Sequence, residues 1–393
     1  MIDSFYIAWK YVRYNRIKTA LLVASLVLIS FLPIALHHLL NKSEHQLMSR
    51  AVSTPLLVGS QGSRMDLVMN TLYFSNDVPP LVSMKTAQEV MDSNLAGAIP
   101  MYVRYQARGF PLIGTTLDYF DFRELVIGKG RHFVTLGECI IGAKVAKKYN
   151  LKPGDSLISS PQNIFDMAGI YPLKMRIVGV LQKNDSPDDT AVFADLKTTW
   201  IIEGLGHGHQ DLGEINDESV LLESSGKQIR ANAKLTYYNE ITDQNVESFH
   251  FHGDTEKFPL TAVIAVPSDV KSETILKGRY LADDGEEQIV VASNVINGLL
   301  DNIFRVKNII DAVILIVTVA MVLSVILIFM LSLRLRKREI ETIYNLGCSQ
   351  MTTVRLVAAE VILVGIAAAF LCGILLFWLN VVSDDLVRRL VVQ

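Results

Sequence analysis

The sequence reads as a membrane protein: three predicted transmembrane helices and a large α+β extracytoplasmic domain on a helical stalk. Three observations carry that reading. Half of the 393 residues are hydrophobic and only 20 % are charged, against about 25 % charge in an ordinary soluble chain. Mean hydropathy is positive, +0.31. The apolar excess is concentrated in three stretches, and a long segment of mixed composition, broken by turn residues, separates the first from the second.

The first stretch, Thr19 to Leu36 (TALLVASLVLISFLPIAL), and the second, Ala312 to Leu333, carry no charge; the third, Leu356 to Val382, is broken only by Glu360. A bilayer core of ~30 Å needs roughly 20 apolar residues of helix. Helix is required because hydrocarbon offers backbone N–H and C=O groups no partner. The expected spans are 19–40, 309–333 and 356–382. A cleavable signal peptide has an apolar core of only ~7–15 residues with a small-residue cleavage site behind it. Here the core is longer and His37-His38-Leu39-Leu40-Asn41-Lys42 follows it, so the first span is expected to stay as an anchor.

Orientation follows from the flanks. Lys10, Arg13, Arg16 and Lys18 precede the first span, and Arg334, Arg336, Lys337, Arg338 and Arg355 fill the connection 334–355 between the second and third. Basic residues near helix ends mark the cytoplasmic side. The lead-in 1–18 and the loop 334–355 are thus expected inside, and the segment 41–307 and the tail 383–393 outside. Arg388 and Arg389 in that tail run against the rule.

The segment 41–307 is long enough for a core of its own. Helical spacing continues past the first span through Leu39, Leu40 and Leu47, and returns from Ile289 to Ile309, which predicts a pair of stalk helices. Between them, residues 109–114, 138–142 and 174–181 read as strands. Residues 143–149 read as a short helix closed by the Pro153-Gly154 turn. Strands and short helices mix without strict alternation, which points to an α+β domain.

Several function classes drop out. Net charge is −3, from 37 basic and 40 acidic residues, so no basic field exists to hold nucleic acid. Cys139, Cys348 and Cys372 are scattered and form no disulfide or zinc framework. No G-x-x-x-x-G-K-[ST] is present to cradle phosphates; Gly59-Ser60-Gln61-Gly62-Ser63-Arg64 lacks the lysine and reads as a turn before a helix over 65–73. No G-x-S-x-G or H-E-x-x-H occurs either. The chain is not expected to be an enzyme.

Four regions resemble the MacB/FtsX-type permeases of ABC transporters. They are IAWKYVRYNRIKTALLVASL (Ile7 to Leu26), GECIIGAKVAKKYNLKPGDSL (Gly137 to Leu157) with MRIVGVLQKNDSPDDTAVFADLKTTW (Met175 to Trp200), RLRKREIETIYNLGCS (Arg334 to Ser349), and the third span with its early Glu360. The resemblance implies a MacB-like core domain outside and a basic loop that meets an ATPase subunit inside. Its matching positions in that loop are Arg336, Arg338, Glu339, Ile340, Leu346, Gly347 and Ser349. It further implies a bacterial inner-membrane protein, multi-pass with a cytoplasmic N-terminus. Partners would be a cytoplasmic ABC ATPase dimer using ATP and Mg, a second permease (identical or different), and a periplasmic adaptor or substrate-binding protein. The family's permeases carry four spans, and this sequence shows three: either a three-span variant or an incomplete chain. An alternative reading is a regulatory mechanotransmitter that activates an external enzyme.

The residues of the loop support docking on their own terms. Ile340, Ile343, Tyr344 and Leu346 cluster at helical spacing, with Gly347 placed to end the turn. Such an apolar and charged helix at the membrane face suits a groove in a partner. In the third span Gly365, Ala369 and Gly373 recur every fourth residue, a small-residue ridge for close helix packing. Glu360, one turn inside, is either interfacial or in a polar contact within the bundle. Two histidine pairs stand apart, His207 with His209 and His250 with His252. Residues at i and i+2 of a strand share a side, and imidazole ligates zinc or copper. These four histidines are candidate metal ligands, with Asp211, Glu214, Asp217 and Asp254 near in sequence; a zinc-handling permease is the corresponding alternative. The bland reading is a polar loop.

Overall fold

The computed structural model describes residues 2–161, 172–208, 221–225, 228–231, 239–282, 285–335, 342 and 350–392. These fall into two units, Gln46–Gly298 and Met1–His45 with Leu299–Val391.

The first unit is built on an eleven-stranded mixed sheet. Its main path runs Asn239–Glu240, Leu173–Leu181, Glu138–Ile141, Val192–Asp195, Phe110–Thr115, Ala96–Ala107, Ala262–Pro267, Leu56–Ser60 and Glu287–Val290. Ile127–Gly130 and Ser156–Pro161 pair off this path. The central hairpin shows how local sequence sets register. Ala107 faces Phe110 across the two-residue turn Arg108-Gly109, whose φ values of 52° and 78° are both left-handed, as a hairpin matching strand twist requires. Leu56, Tyr102, Leu112, Ile141, Met175, Val192 and Val263 meet in one buried cluster.

The strands expected at 109–114, 138–142 and 174–181 form at Phe110–Thr115, Glu138–Ile141 and Leu173–Leu181. The short helix is Ala143–Tyr149, ended by Asn150 in the left-handed conformation. Behind it the Asp155 N–H donates to the Lys152 carbonyl across Pro153-Gly154, at 3.1 Å. The turn before residue 65 ends at Ser63, whose hydroxyl caps the helix Arg64–Tyr73 by accepting from the Asp66 N–H.

The returning stalk begins later than its spacing suggests. Glu287–Val290 is a strand, antiparallel to Leu56–Ser60 with Val58 opposite Ile289, and the helix starts at Ala292. Ile289, Val290 and Val291 are β-branched and favour the pleated, half-buried edge.

The helical unit draws on Ile2–Tyr14, Arg16–Val52, Ala292–Leu335 and Gln350–Val392. Arg16–Val52 and Val354–Val382 are long and apolar enough to cross a membrane; a third apolar run, Asp311–Leu327, is shorter. Leu22 and Val23 pack on Val364 and Ala368, with Leu26, Val27 and Val325 around them. The tail expected as a separate outer segment continues the last helix to Val392.

Two glycines test the packing in opposite directions. At Gly142 a Cβ would lie 2.3 Å from the Asp188 carbonyl oxygen, so Gly142→Ala should cost about 1–3 kcal/mol. At Gly278, inside helix Val270–Ala282, a Cβ meets nothing within 4 Å, so Gly278→Ala should be neutral or stabilise by up to ~1 kcal/mol. Thermal unfolding of the full chain in detergent reads both.

Candidate functional site

Helix Arg16–Val52 ends inside the folded domain, and its last turn is tied there by charge. Arg50 is buried and donates through Nη1 to Asp188 Oδ2 at 2.6 Å and through Nη2 to Oδ1 at 3.0 Å. Nη2 also donates to the Tyr119 hydroxyl at 2.7 Å, and that hydroxyl donates to Asp188 Oδ1 at 2.7 Å. The guanidinium lies over the Phe74 ring at 5.3 Å. The carbonyl of Arg50, at the open helix end, accepts from the hydroxyls of Ser53 and Thr54. Arg123 donates to both hydroxyls, at 2.9 and 2.7 Å, which places a cation at the negative end of the helix dipole. One turn earlier the Leu47 carbonyl accepts from Tyr73.

Local sequence prepares Asp188 for this. Ser186 caps the 3₁₀ turn Pro187–Thr190 and its hydroxyl also donates to Asp188 Oδ2, at 2.7 Å. Burial alone would raise the Asp188 pKa; the Arg50 charge and its hydrogen bonds outweigh that and hold the carboxyl at about 2. Burial and the neighbouring Arg50 charge lower Arg123 to about 10. Glu138 is a second buried carboxylate, bound by Arg131 at 2.6 Å and Arg176 at 2.9 Å. Its burial is likewise outweighed, by Arg131 and by the N–H groups of Val134 and Thr135, giving about 2.

The second constellation is the histidine ribbon. Gly206–Gly208 pairs antiparallel with Phe249–Phe251, and His207 stands directly opposite His250. Gly206 faces Phe251 and Gly208 faces Phe249. A Cβ on Gly206 would lie 2.8 Å from the Phe251 ring and one on Gly208 2.6 Å from the Phe249 ring, so the aromatic face requires glycine opposite. Phe251 rests edge-on against buried Trp200, at 6.5 Å, and beside Phe258, at 5.9 Å. The base of the ribbon is fixed by Glu203, which accepts from Tyr102 at 2.5 Å, from Arg104 at 3.0 Å and from Tyr105. His207, His250 and His252 occupy the other face, with ligand nitrogens all within 4.8 Å of one another.

The expected residues therefore separate. His207, His250 and His252 converge; His209, Asp211, Glu214 and Asp217 lie outside the described residues. Asp254 does not join the cluster: its carboxylate caps the turn Thr255–Lys257. Arg336, Arg338, Glu339, Ile340, Leu346, Gly347 and Ser349 also lie outside the described residues. In the last helix the buried row is Glu360, Val364, Ala368 and Cys372. Gly365 is half-buried, Ala369 and Gly373 are exposed, and a Cβ on either glycine meets nothing within 4 Å. The small-residue ridge thus lies beside the seam within this chain. Glu360 makes a polar contact in the helical unit, with Lys18 Nζ at 3.3 Å.

The family description "MacB-like periplasmic core domain" matches residues 23–234. The chain belongs to this family. The MacB-like domain is that of MacB/FtsX-type permeases of ABC transporters, and the chain is a membrane-type protein with that domain on the extracytoplasmic side. Among solved structures, it is similar to the periplasmic region of MacB from Actinobacillus actinomycetemcomitans, with 13 % identity and a TM-score of 0.34 over 65 % of this chain and 98 % of that one. It is also similar to the extracellular domain of the noncanonic ABC-type transporter YknZ from Gram-positive bacteria, with 11 % identity and a TM-score of 0.32 over 60 % of this chain and 98 % of that one. No curated protein matches the chain in sequence.

The anchor of the MacB-like domain makes a pH-dependent contribution whose sign is fixed. Asp188 ionises at about 2 in the fold against an ordinary 3.8, so the charged form favours the folded state. That stability is present above pH 4 or so and is lost as pH falls from about 4 towards about 2. Asp188→Asn should flatten part of the acid limb of a Tm-against-pH curve. At neutral pH it should cost about 3–5 kcal/mol, since a buried arginine loses its counterion.

Proposed function

We propose that this chain is the permease subunit of a MacB/FtsX-type ABC transporter and works as a mechanical transmitter. A separate cytoplasmic ATPase dimer binds the loop 334–355 through Arg336, Arg338, Glu339, Ile340, Leu346, Gly347 and Ser349. Closure of the ATPase on ATP shifts that loop, the spans follow, and the stalk helices move the extracytoplasmic domain. The chain itself holds no nucleotide. It crosses the inner membrane at 19–40, 309–333 and 356–382, with its N-terminus in the cytoplasm.

One observation carries this reading. Helix Arg16–Val52 is continuous over 37 residues, about 55 Å at ~1.5 Å per residue, against a hydrocarbon core of ~30 Å. Beyond the span 19–40, residues 41–52 of this helix, about 18 Å at ~1.5 Å per residue, are left to project, and its last turn is the one locked by Arg50 and Asp188. In this reading a displacement of the span passes along the helix to that last turn; Pro33, inside the helix, lacks the N–H of one backbone bond and is the place where it can bend. Helix Ala292–Leu335, of 44 residues, has a similar surplus. Two permeases, identical or different, work in one complex, and the exposed positions Ala369 and Gly373 leave a smooth helix face for the second. An adaptor or substrate-binding protein would meet the outer domain.

The test is recovery of the ATPase. The tagged chain, solubilised from membranes in mild detergent, should carry an ABC ATPase with it. The double change Glu339→Lys and Leu346→Ala should lower that recovery about tenfold, the equivalent of ~1.4 kcal/mol, without altering thermal unfolding of the outer domain. Unchanged recovery would remove the loop assignment. A cysteine at exposed Lys271 should react with an impermeant thiol reagent from outside whole cells; reaction only from the cytoplasm would invert the topology and end the proposal.

A further inference from the structure

The histidine ribbon has no task in force transmission, and its construction is specific. We propose that His207, His250 and His252 form a binding site for a divalent transition-metal ion, zinc in the first instance, on the outer domain. Directly opposed residues of an antiparallel pair share a face, and residues two apart on a strand do as well. Register alone therefore sends His207 and His250 to one side, and His252 follows where its N–H donates to the Leu205 carbonyl at 3.0 Å. The ring centroids stand 4.6 to 5.1 Å apart in all three combinations.

The alternative is an aromatic patch with no ligand. Three features favour a metal. First, glycine is a poor strand former, yet it flanks His207 on both sides. The opposite face explains that choice, because Phe249 and Phe251 cover the glycines, and so anchor the ribbon while leaving only imidazoles outward. Second, His250 Nδ1 lies 3.3 Å from the Ser248 carbonyl oxygen. An Nδ1–H donated there makes Nε2 the nitrogen with the lone pair, the usual arrangement of a metal-ligating histidine and its backbone support. Third, the nitrogens lie within 4.8 Å of one another. Zinc at ~2.0–2.1 Å from each tetrahedral ligand spaces nitrogens about 3.4 Å apart, and the exposed rings of His207 and His252 have room to close the difference.

The donor set selects the ion. Among the described residues the set is three imidazoles, which suit zinc, copper(II) or nickel(II) rather than calcium or magnesium, which take oxygen ligands. The three ligands among the described residues leave a fourth coordination position to water or to a further ligand, and the exposed rings of His207 and His252 open the site to the extracytoplasmic solvent.

The experiment uses the full chain in detergent, stripped with chelator and titrated with zinc chloride alone. The expected result is one zinc per chain retained through gel filtration, a raised Tm, and visible absorption on substitution with cobalt(II). His207→Asn with His252→Asn should weaken binding by more than the roughly 100-fold that even loss of a supporting partner can cost. Metal-free Tm should stay unchanged, since both side chains are exposed. Calcium should give no shift. Absence of stoichiometric zinc, or equal uptake by the double variant, would overturn the proposal. The readout is independent of the ATPase, so the variant should still recover that partner and the two readings fail separately.

Discussion

A guanidinium cannot sit in a protein interior without an anion to meet it, and the placement of Arg50 at the end of a long helix makes that constraint architectural. Arg50 and Asp188 are both buried. In absolute terms such a pair adds little stability, because desolvating two charges offsets most of their attraction. What it adds is direction: two parallel N–H···O bonds fix rotation as well as distance. Tyr119, donor to the carboxylate and acceptor from the guanidinium, removes the remaining freedom. Around this joint the neighbouring parts are forced. Gly142 must lack a side chain because the Asp188–Asp189 backbone passes against it, and Ser53 and Thr54 must bear hydroxyls to link the helix end to Arg123.

A joint of this kind sets how firmly the last turns of the helix are held in the domain, and it does so only if the contact resists bending in every direction. Tyr73 holds the Leu47 carbonyl on one turn and Arg123 the hydroxyls of the next, so restraints act at two levels along the axis. Resistance to tilt comes from that separation. Lys18 and Glu360 tie the same helix to the last one within the helical unit, where a carboxylate without a cation would be costly.

Much of the domain was legible because its signals are local. Pro153-Gly154 is a turn by its own chemistry, and the short helix before it and the three expected strands formed close to where the residues placed them; Gly109, expected in a strand, instead sits in the left-handed turn Arg108-Gly109. The joint was not legible, since Arg50 and Asp188 are 138 positions apart and no spacing rule connects them. The start of the returning helix was misjudged because Ile289-Val290-Val291 satisfies a buried helix and an edge strand equally; only its partner, Leu56–Ser60, decides. In the last helix Val364/Ala368/Cys372 and Gly365/Ala369/Gly373 are adjacent rows with the same period, and packing on Leu22 and Val23 selects the first.

The histidines lie between these cases. Each pair was visible in the sequence, but which imidazoles share a face depends on strand register, and register here is set by the residues on the opposite side. Phe249 and Phe251 can lie flat only over Gly208 and Gly206; both pack on the core, and Trp200 and Phe258 hold the Phe251 ring there. A slip of one residue would set phenylalanine against His207 and turn the rings away from the core. The apolar face therefore specifies the polar one. Asp254, which proximity in sequence had offered as a ligand, is taken by the N–H of Glu256, because a short acidic side chain before a turn satisfies the backbone first.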